Sequence, residues 1–292
     1  MVVEISPWVI GPFLAVFGLM IGSFLNVVIA RLPAGESVVR PRSRCPGCGH
    51  LIRWYDNIPV LSYLWLRRKC RDCGQAISWR YPLVELLTAA LLLVLWARFG
   101  VSKELAVHFA FTAALIAISF IDLDHRIIPN EISLPGIVVA FACSFLWSGF
   151  WVDSLLGILL GGGGLFLLSF GYSALRGREG MGMGDVKMLG MLGGWLGWQC
   201  LPIVLLLASI QGVSVSLALW LAGVRLRPIE PEEGEEDQAG EAAPATPTAP
   251  AESAPAPPSW MSSAIPFGPF LALSAIEYVF FAGRLLQWLT GR

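Results

Sequence analysis

Charge is scarce in this sequence of 292 residues. Only 14% of the residues are charged and 55% are hydrophobic, whereas soluble domains carry charge on roughly a quarter of their residues. This scarcity argues against an ordinary soluble domain. The amino terminus also lacks the basic segment that opens a secretory signal peptide, because Glu4 stands there. We therefore interpret the first apolar run as a retained helix.

Long apolar runs dominate the chain instead. A helix needs about 20 apolar residues to cross a bilayer. We predict an all-α membrane protein with about eight transmembrane helices and a small cytoplasmic zinc-binding loop. The predicted spans are residues 7–30, 82–99, 104–122, 131–149, 154–174, 186–199, 200–223 and 264–288.

The distribution of basic residues predicts the orientation of these spans. Segment 31–80 carries ten Lys and Arg residues but three Asp and Glu residues. Basic loops stay in the cytoplasm, so this segment is expected there and both termini outside. Connections 122–130, 175–187 and 224–263 then also face the cytoplasm.

A segment of different composition interrupts the apolar pattern near the carboxyl terminus. Residues 229–259 are acidic at first and then rich in Ala and Pro. Such a segment has little apolar surface to bury, so we expect a disordered linker. The predicted organisation is a first helix at 1–30, a zinc-binding domain at 31–81, a membrane core at 82–223, the linker at 224–263 and a last helix at 264–292.

Two C-x2-C pairs lie in the 31–80 segment, with 21 residues between them. Zinc takes four soft ligands in a tetrahedron, and two such pairs supply four thiolates from a short chain. The cytoplasm also keeps thiols reduced. We therefore predict a structural zinc site formed by Cys45, Cys48, Cys70 and Cys73. The alternatives are two disulfides or free cysteines.

Two aspartates are candidates for catalysis. Asp122 ends the third predicted span and Asp185 opens the sixth, so the topology places both at one cytoplasmic level. Two neighbouring carboxylates cannot easily both ionise, so one keeps a proton while the other acts as a base toward water. Such a pair is expected to hydrolyse a peptide bond.

Other interpretations of these aspartates stay open on residue chemistry alone. An aspartate at a helix amino terminus is favourable for dipole reasons, which fits Asp185 but not Asp122. A metal site, or a proton relay that includes His125, is a further possibility.

Several motifs together resemble one family. The tetrad Gly182-Met183-Gly184-Asp185 is of the G-x-G-D form found in membrane aspartyl proteases. The other motifs are Gly22-Ser23-Phe24-Leu25-Asn26-Val27-Val28, Arg31-Leu32-Pro33, both cysteine pairs, Asp56-Asn57-Ile58-Pro59, Tyr81-Pro82-Leu83-Val84-Glu85, Ile121-Asp122 through Pro129-Asn130, Gly182 to Lys187 and Ile265-Pro266-Phe267-Gly268-Pro269. With these motifs in this order, the chain resembles the bacterial type IV prepilin peptidases over nearly its whole length, apart from 229–259.

The resemblance implies an activity and a location. Members of this family lie in the bacterial inner membrane and cleave the basic leader of type IV prepilins and type II secretion pseudopilins after a glycine, on the cytoplasmic side. Most bacterial members also methylate the new amino terminus with S-adenosylmethionine. The catalytic aspartates carry over to Asp122 and Asp185, and Asp124 is expected to be supportive. The expected partners are these substrates and the lipid bilayer, with no nucleic acid.

The methyl-donor site is harder to place. The sequence has no G-x-G-x-x-G fingerprint after a strand, and the run Gly161–Gly164 is better explained by close helix packing. We expect the donor near the 31–80 segment. The candidates are Asn26, Arg31, Asp56, Asn57 and Glu85, each of which also has a purely structural interpretation.

Two other functions compete with the peptidase. A transporter or channel would need its carboxylates near the bilayer midplane, whereas these are predicted at the edge. A zinc-binding membrane scaffold without chemistry would depend on the cysteines and not on the aspartates. Segment 265–269 is expected either to line the substrate path or to form a kinked helix start.

Overall fold

A computed structural model describes residues 6–176, 182–223 and 265–290, with only the backbone described for 282–290. Regular structure in these ranges is helical, apart from two isolated antiparallel bridges in the segment between the first two long helices. The helices are α1 (Pro7–Arg31), α2 (Leu61–Trp65), α3 (Arg80–Phe99), α4 (Lys103–His125), α5 (Asn130–Ser144), α6 (Phe150–Ile158), α7 (Leu165–Arg176), α8 (Met183–Leu196), α9 (Cys200–Leu221) and α10 (Gly268–Thr290), with a π-helical stretch Leu159–Gly164 between α6 and α7. The all-α class is confirmed.

Five helical segments in the described ranges are long and apolar enough to cross a membrane. They are Pro7–Arg31, Arg80–Phe99, Lys103–His125, Phe150–Arg176 and Cys200–Leu221, while Asn130–Ser144 and Gly268–Phe281 are shorter apolar helices. The chain is a multi-pass membrane protein.

The helix ends differ from the predicted spans by a few residues. Helix α5 ends at Ser144 and not at 149, because the chain turns there before Gly149, whose φ of 81° caps the start of α6. Helix α4 continues past Asp122 to His125, and α8 begins at Met183, so Asp185 lies in its first turn. The predicted 224–263 linker lies outside the described residues.

Glycines allow α1 to pack closely on α3. A Cβ atom added at Gly18 would lie 2.6 Å from the Cα of Ala89, and one at Gly22 would lie 2.6 Å from the Cα of Glu85. The two glycines are four residues apart and therefore share one helix face. Small residues at this spacing let membrane helices approach backbone to backbone, which holds Glu85 close to α1.

Helix α8 lies at the centre of the bundle. Its residues from Met188 to Gly194 are buried in an unbroken run, and it packs against α5, α6 and the π-helical stretch. A Cβ atom at Gly161 would lie 2.6 Å from the carbonyl oxygen of Leu189, and Gly162 faces the Cα of Gly190. The predicted packing role is confirmed for these two glycines.

Two compact units divide the chain. The first comprises residues 1–211 and 266–292, and the second comprises residues 212–265, of which the structure describes the last turns of α9. In the first unit the ends of α1 and α4 and the starts of α3, α5, α8 and α10 lie on one side of the bundle. We call this the loop side, because segment 32–79 joins α1 to α3 there.

Candidate active site

Asp122 lies in the last turn of α4 and is buried, with 5% of its surface exposed. The helix ends in a left-handed residue, Arg126, whose N–H donates to the Asp122 carbonyl. A carboxylate at the negative end of a helix dipole gains nothing from that position. Burial and position together distinguish Asp122 from an ordinary helix cap.

The start of α10 supplies a hydrogen bond to this carboxyl group. The N–H of Gly268 donates to Oδ2 of Asp122 at 3.0 Å, in a buried environment. A Cβ atom at Gly268 would lie 2.5 Å from the same oxygen, so only glycine permits this approach. Segment 265–269 therefore opens α10 directly at the predicted site.

Asp185 approaches Asp122 from the first turn of α8. The two carboxyl groups are close enough to interact electrostatically. Gly184 packs on Ile128, with a Cβ position 3.2 Å from that side chain, and Lys187 Nζ donates to Asn130 Oδ1 at 2.6 Å. These contacts hold the start of α8 against the connection between α4 and α5. The two aspartates thus lie at one end of the bundle, as the topology predicted.

Asp124 has a different environment from Asp122. It is exposed and forms an ion pair with Arg80, the first residue of α3. Arg80 also donates to the carbonyl oxygen of Phe120 at 2.9 Å and lies over the Phe120 ring. His125 is exposed, and no hydrogen bond joins its side chain to either candidate aspartate within the described ranges. The geometry therefore gives no support to a relay through His125.

The four predicted cysteine ligands converge between α1 and α3. Their Sγ atoms all lie within 4.8 Å of one another, and those of Cys45 and Cys73 are 3.7 Å apart. Sulfur atoms 2.3 Å from a tetrahedral metal ion are separated by about 3.8 Å. None of the cysteines forms a disulfide. The donor set therefore fits a tetrahedral metal ion.

The local backbone favours the thiolate form at one of these cysteines, Cys45. Each C-x2-C pair forms a tight turn in which the first cysteine N–H donates to the carbonyl five residues later, to His50 for Cys45 and to Gln75 for Cys70. The N–H groups of Cys48 and Gly47 lower the pKa of the Cys45 thiol to about 7. The thiolate, which is the form that binds metal, is thereby favoured.

A cavity of about 410 Å³ lies between the cysteine segment and helices α1 and α3. Its volume falls in the usual range for small-molecule sites. It is lined by all five candidate donor-site residues, Asn26, Arg31, Asp56, Asn57 and Glu85, and by Cys45 and Cys70. The structure thus brings together residues from several motifs that are separate in the sequence.

Three of the candidates in this cavity, Asn26, Glu85 and Asp56, have protein partners. Asn26 donates to the carbonyl oxygen of Tyr81 at 3.0 Å, and Glu85 accepts the N–H of Val60 at 2.8 Å. The Asp56 carboxylate is paired with Arg71, whose Nε lies 2.9 Å from Oδ2, and this pairing lowers the pKa of Asp56. The cavity lining carries the carboxyl groups of Asp56, Asp72 and Glu85 and the guanidinium groups of Arg31, Arg44, Arg53 and Arg71. It therefore suits a polar small molecule that bears charges of both signs, as a sulfonium-containing methyl donor with a carboxylate does.

Sequence reasoning missed the contacts made by Gly268 and Arg80. The Pro-x-x-Pro sequence at 266–269 indicated a helix start, and such starts present free N–H groups, but nothing in the sequence indicated which side chain would accept one. Arg80 appeared only as one of ten cations in its segment.

Two family models cover most of the chain. Residues 16–99 match the bacterial peptidase A24 N-terminal domain, and residues 109–217 match the type IV leader peptidase family. The first match ends with α3 and contains the cysteine segment, and the second begins within α4 and contains both aspartates.

Curated relatives agree with these matches. The chain is 46% identical over 228 residues to the prepilin leader peptidase/N-methyltransferase of Myxococcus xanthus, covering 76% of this chain and 68% of that protein. It is 40% identical to the protein of the same name from Aeromonas hydrophila (73% and 82% covered) and 37% identical to that from Pseudomonas putida (89% and 86% covered). No solved structure matches the chain. With two family models matched in succession and relatives similar over most of their length, the chain belongs to the type IV leader peptidase family.

Proposed function

We propose that this protein is a membrane aspartyl endopeptidase that removes the leader of type IV prepilins and type II secretion pseudopilins after a glycine, and that it methylates the new amino terminus. The observation that carries the proposal is the meeting of Asp122 and Asp185 at the loop side, where the buried Asp122 accepts the Gly268 N–H. The names of the curated relatives support the substrate class and both activities.

The hydrogen bonds suggest how the two aspartates divide the work. The Gly268 N–H stabilises negative charge on Asp122, whereas no donor to Asp185 is found among the described side chains. We therefore assign the role of base to Asp122 and the role of acid to Asp185. Asp122 takes a proton from the attacking water, and Asp185 donates to the carbonyl oxygen of the scissile bond.

Replacement of either aspartate tests this assignment. Asp122→Asn and Asp185→Asn should each reduce cleavage of a purified prepilin by at least about 10³-fold, because one half of the acid–base pair is lost. Both variants should still insert, and both should methylate a pilin that has already been cleaved. Normal cleavage by either variant would contradict the proposal.

The metal at the cysteine cluster is proposed to be zinc, held by Cys45, Cys48, Cys70 and Cys73. Four thiolates leave no open coordination position, so its role is structural. The adjoining cavity is proposed to bind S-adenosylmethionine, which supplies an electrophilic methyl group when bound. The carboxylates of Asp56 and Glu85 would face its positive charge, and Asn26 and Arg31 would orient its polar groups.

Metal removal separates the two activities. Cys45 and Cys70 belong to the four-thiol cluster that is proposed to hold the ion, and they also line the cavity. The contacts of Asp122 with Gly268 and Asp185 involve no residue of the cysteine segment. Chelation should therefore abolish binding of labelled S-adenosylmethionine and methyl transfer, and lower cleavage by less than about tenfold. The measurements are metal content, equilibrium binding of the donor and the two activities. Full donor binding by the metal-free protein would refute the cavity assignment.

The loop side is proposed to face the cytoplasm of the bacterial inner membrane. The ten basic residues of segment 31–80 support this orientation. The chain is proposed to consist of a first helix, a metal-binding domain, a membrane core, a linker and a last helix, with the bounds predicted from the sequence. In this arrangement cleavage and methylation occur on one side of the membrane, so the new amine forms where its methyl donor binds.

A further inference from the structure

Helix α2 has two unlike faces. Ser62 and Tyr63 line the cavity described above. Leu61, Leu64 and Trp65 lie at positions i, i+3 and i+4, which share a helix face, and they are 64%, 64% and 83% exposed. Clusters of large exposed apolar side chains mark contact surfaces in proteins. This face therefore requires a partner.

Three cations follow this apolar face directly. Arg67, Arg68 and Lys69 are exposed, and none of them forms an ion pair within the described ranges. Arg67 and Arg68 have φ values of 50° and 62°, a left-handed conformation that is unfavourable for residues other than glycine. The chain thus turns sharply to place cations beside Trp65. We refer to Leu61, Leu64, Trp65, Arg67, Arg68 and Lys69 as the α2 patch.

A hydrogen bond sets the depth of the α2 patch. Val60, the residue before α2, donates its N–H to Glu85 Oε2 at 2.8 Å. Glu85 belongs to the membrane-crossing helix α3, which begins at Arg80, and lies about 7.5 Å along that helix from its first residue. The headgroup region on each side of a bilayer is about 5–7 Å thick. Helix α2 is therefore held at the level where α3 passes from water into lipid.

We propose that the α2 patch docks on the membrane surface that α3 enters, with its apolar face in the interface and its cations on the phosphates of anionic phospholipids. Trp at the interface and Lys or Arg beside it are typical of segments that lie on membranes. Anionic lipid attracts each nearby cation appreciably, and the three unpaired cations supply the complementary charge. Docking would hold the outer wall of the cavity against the bilayer.

A fluorescent probe in the intact protein tests this proposal. Trp65 is replaced by an environment-sensitive fluorescent amino acid, and the full chain is reconstituted into bilayers of phosphatidylcholine with or without phosphatidylglycerol. With phosphatidylglycerol present, brominated acyl chains should quench the probe and aqueous iodide should not. In the same bilayers, Arg67→Gln/Arg68→Gln should raise iodide quenching about threefold or more, because the phosphate contacts are lost.

A matched variant controls for net charge. Arg40→Gln/Arg42→Gln removes the same charge from exposed positions of the same segment and should leave quenching unchanged. Equal metal content in both variants shows that the cysteine segment stays folded. Iodide quenching that is equally strong in both bilayers would overturn the proposal, and bromine quenching that is independent of phosphatidylglycerol would overturn the anionic-lipid assignment. If the probe is protected from iodide only when a prepilin is added, the α2 patch binds the substrate and not the lipid.

Discussion

Asp122 and Asp124 lie two residues apart in the last turn of α4, yet they face different surroundings. Asp122 is buried and accepts the Gly268 N–H. Asp124 is exposed and already paired with Arg80. An ion pair at the surface contributes at most about 1 kcal/mol, so Asp124 is suited to fastening α4 to α3 and not to chemistry.

The contrast between these neighbours leads to a prediction. Asp124→Asn should keep cleavage within about fivefold of the wild type, because only an exposed ion pair is lost. Arg80→Gln removes the same ion pair together with the contacts of Arg80 with Phe120. The double variant should therefore be no worse than Arg80→Gln alone, since the ion pair is already lost in that variant. The measurement is the initial rate of prepilin cleavage by the wild type and by each variant. A loss comparable to that of Asp122→Asn would show that Asp124 belongs to the acid–base pair.

At the scale of single residues, the sequence predicted which residues form the candidate sites better than it predicted which residues they contact. Asp122, Asp185 and the four cysteines were chosen from topology and spacing, and the structure places each set together. The partners of Asp122 and Asp124 could not be inferred, because Gly268 and Arg80 lie far from them in sequence. Glu277 was also missed. It accepts a hydrogen bond of 2.7 Å from Gln211, and its position within an apolar span concealed it.

The start of helix α10 is the element that completes the candidate active site. Gly268→Ala should reduce cleavage about 10–100-fold, because a methyl group 2.5 Å from Oδ2 must displace the Asp122 carboxyl group and lengthen its hydrogen bond. Methylation of a pilin that has already been cleaved should be unaffected. The control is Gly171→Ala, since a Cβ atom at that helical glycine meets nothing within 4 Å. Full cleavage by Gly268→Ala would show that the Gly268 contact is dispensable.

At the scale of elements, apolar run length predicted helices well and their ends less well. The predicted start of the first span agrees with α1 and the start of the seventh with α9. Helix α5 stops early because the chain turns before Gly149, and hydropathy does not register a turn made of apolar residues. The sequence pattern also could not predict the backbone contacts of α8 with the π-helical stretch, because these contacts depend on which glycines face each other in the fold.

At the scale of the whole molecule, two functional regions share one side of the bundle. The cysteine segment contacts α3 through the hydrogen bond from Val60 to Glu85, and Asn26 of α1 donates to the Tyr81 carbonyl of α3. Arg80 joins the beginning of α3 to the end of α4. The positive-inside pattern predicted this shared side from sequence alone. The cavity itself was not predictable, because its walls come from segments that are brought together only by the folded metal-binding turns.

The remaining sequence feature is the acidic and Ala/Pro-rich stretch before the last helix, which lies outside the described residues. Deletion of residues 232–258 should leave cleavage and methylation within about twofold of the wild type. The closure entropy of a flexible connection changes only slowly with its length, and residues 224–231 and 259–264, which remain, span up to about 45 Å when extended. In the predicted topology this connection begins and ends on the same side of the membrane, so α10 should still bring Gly268 to Asp122. Replacement of the same residues by a Gly/Ser sequence of equal length is the control. If the deletion abolishes cleavage while the Gly/Ser variant stays active, the connection must have a minimum length, and if both are inactive, its sequence itself contributes to function.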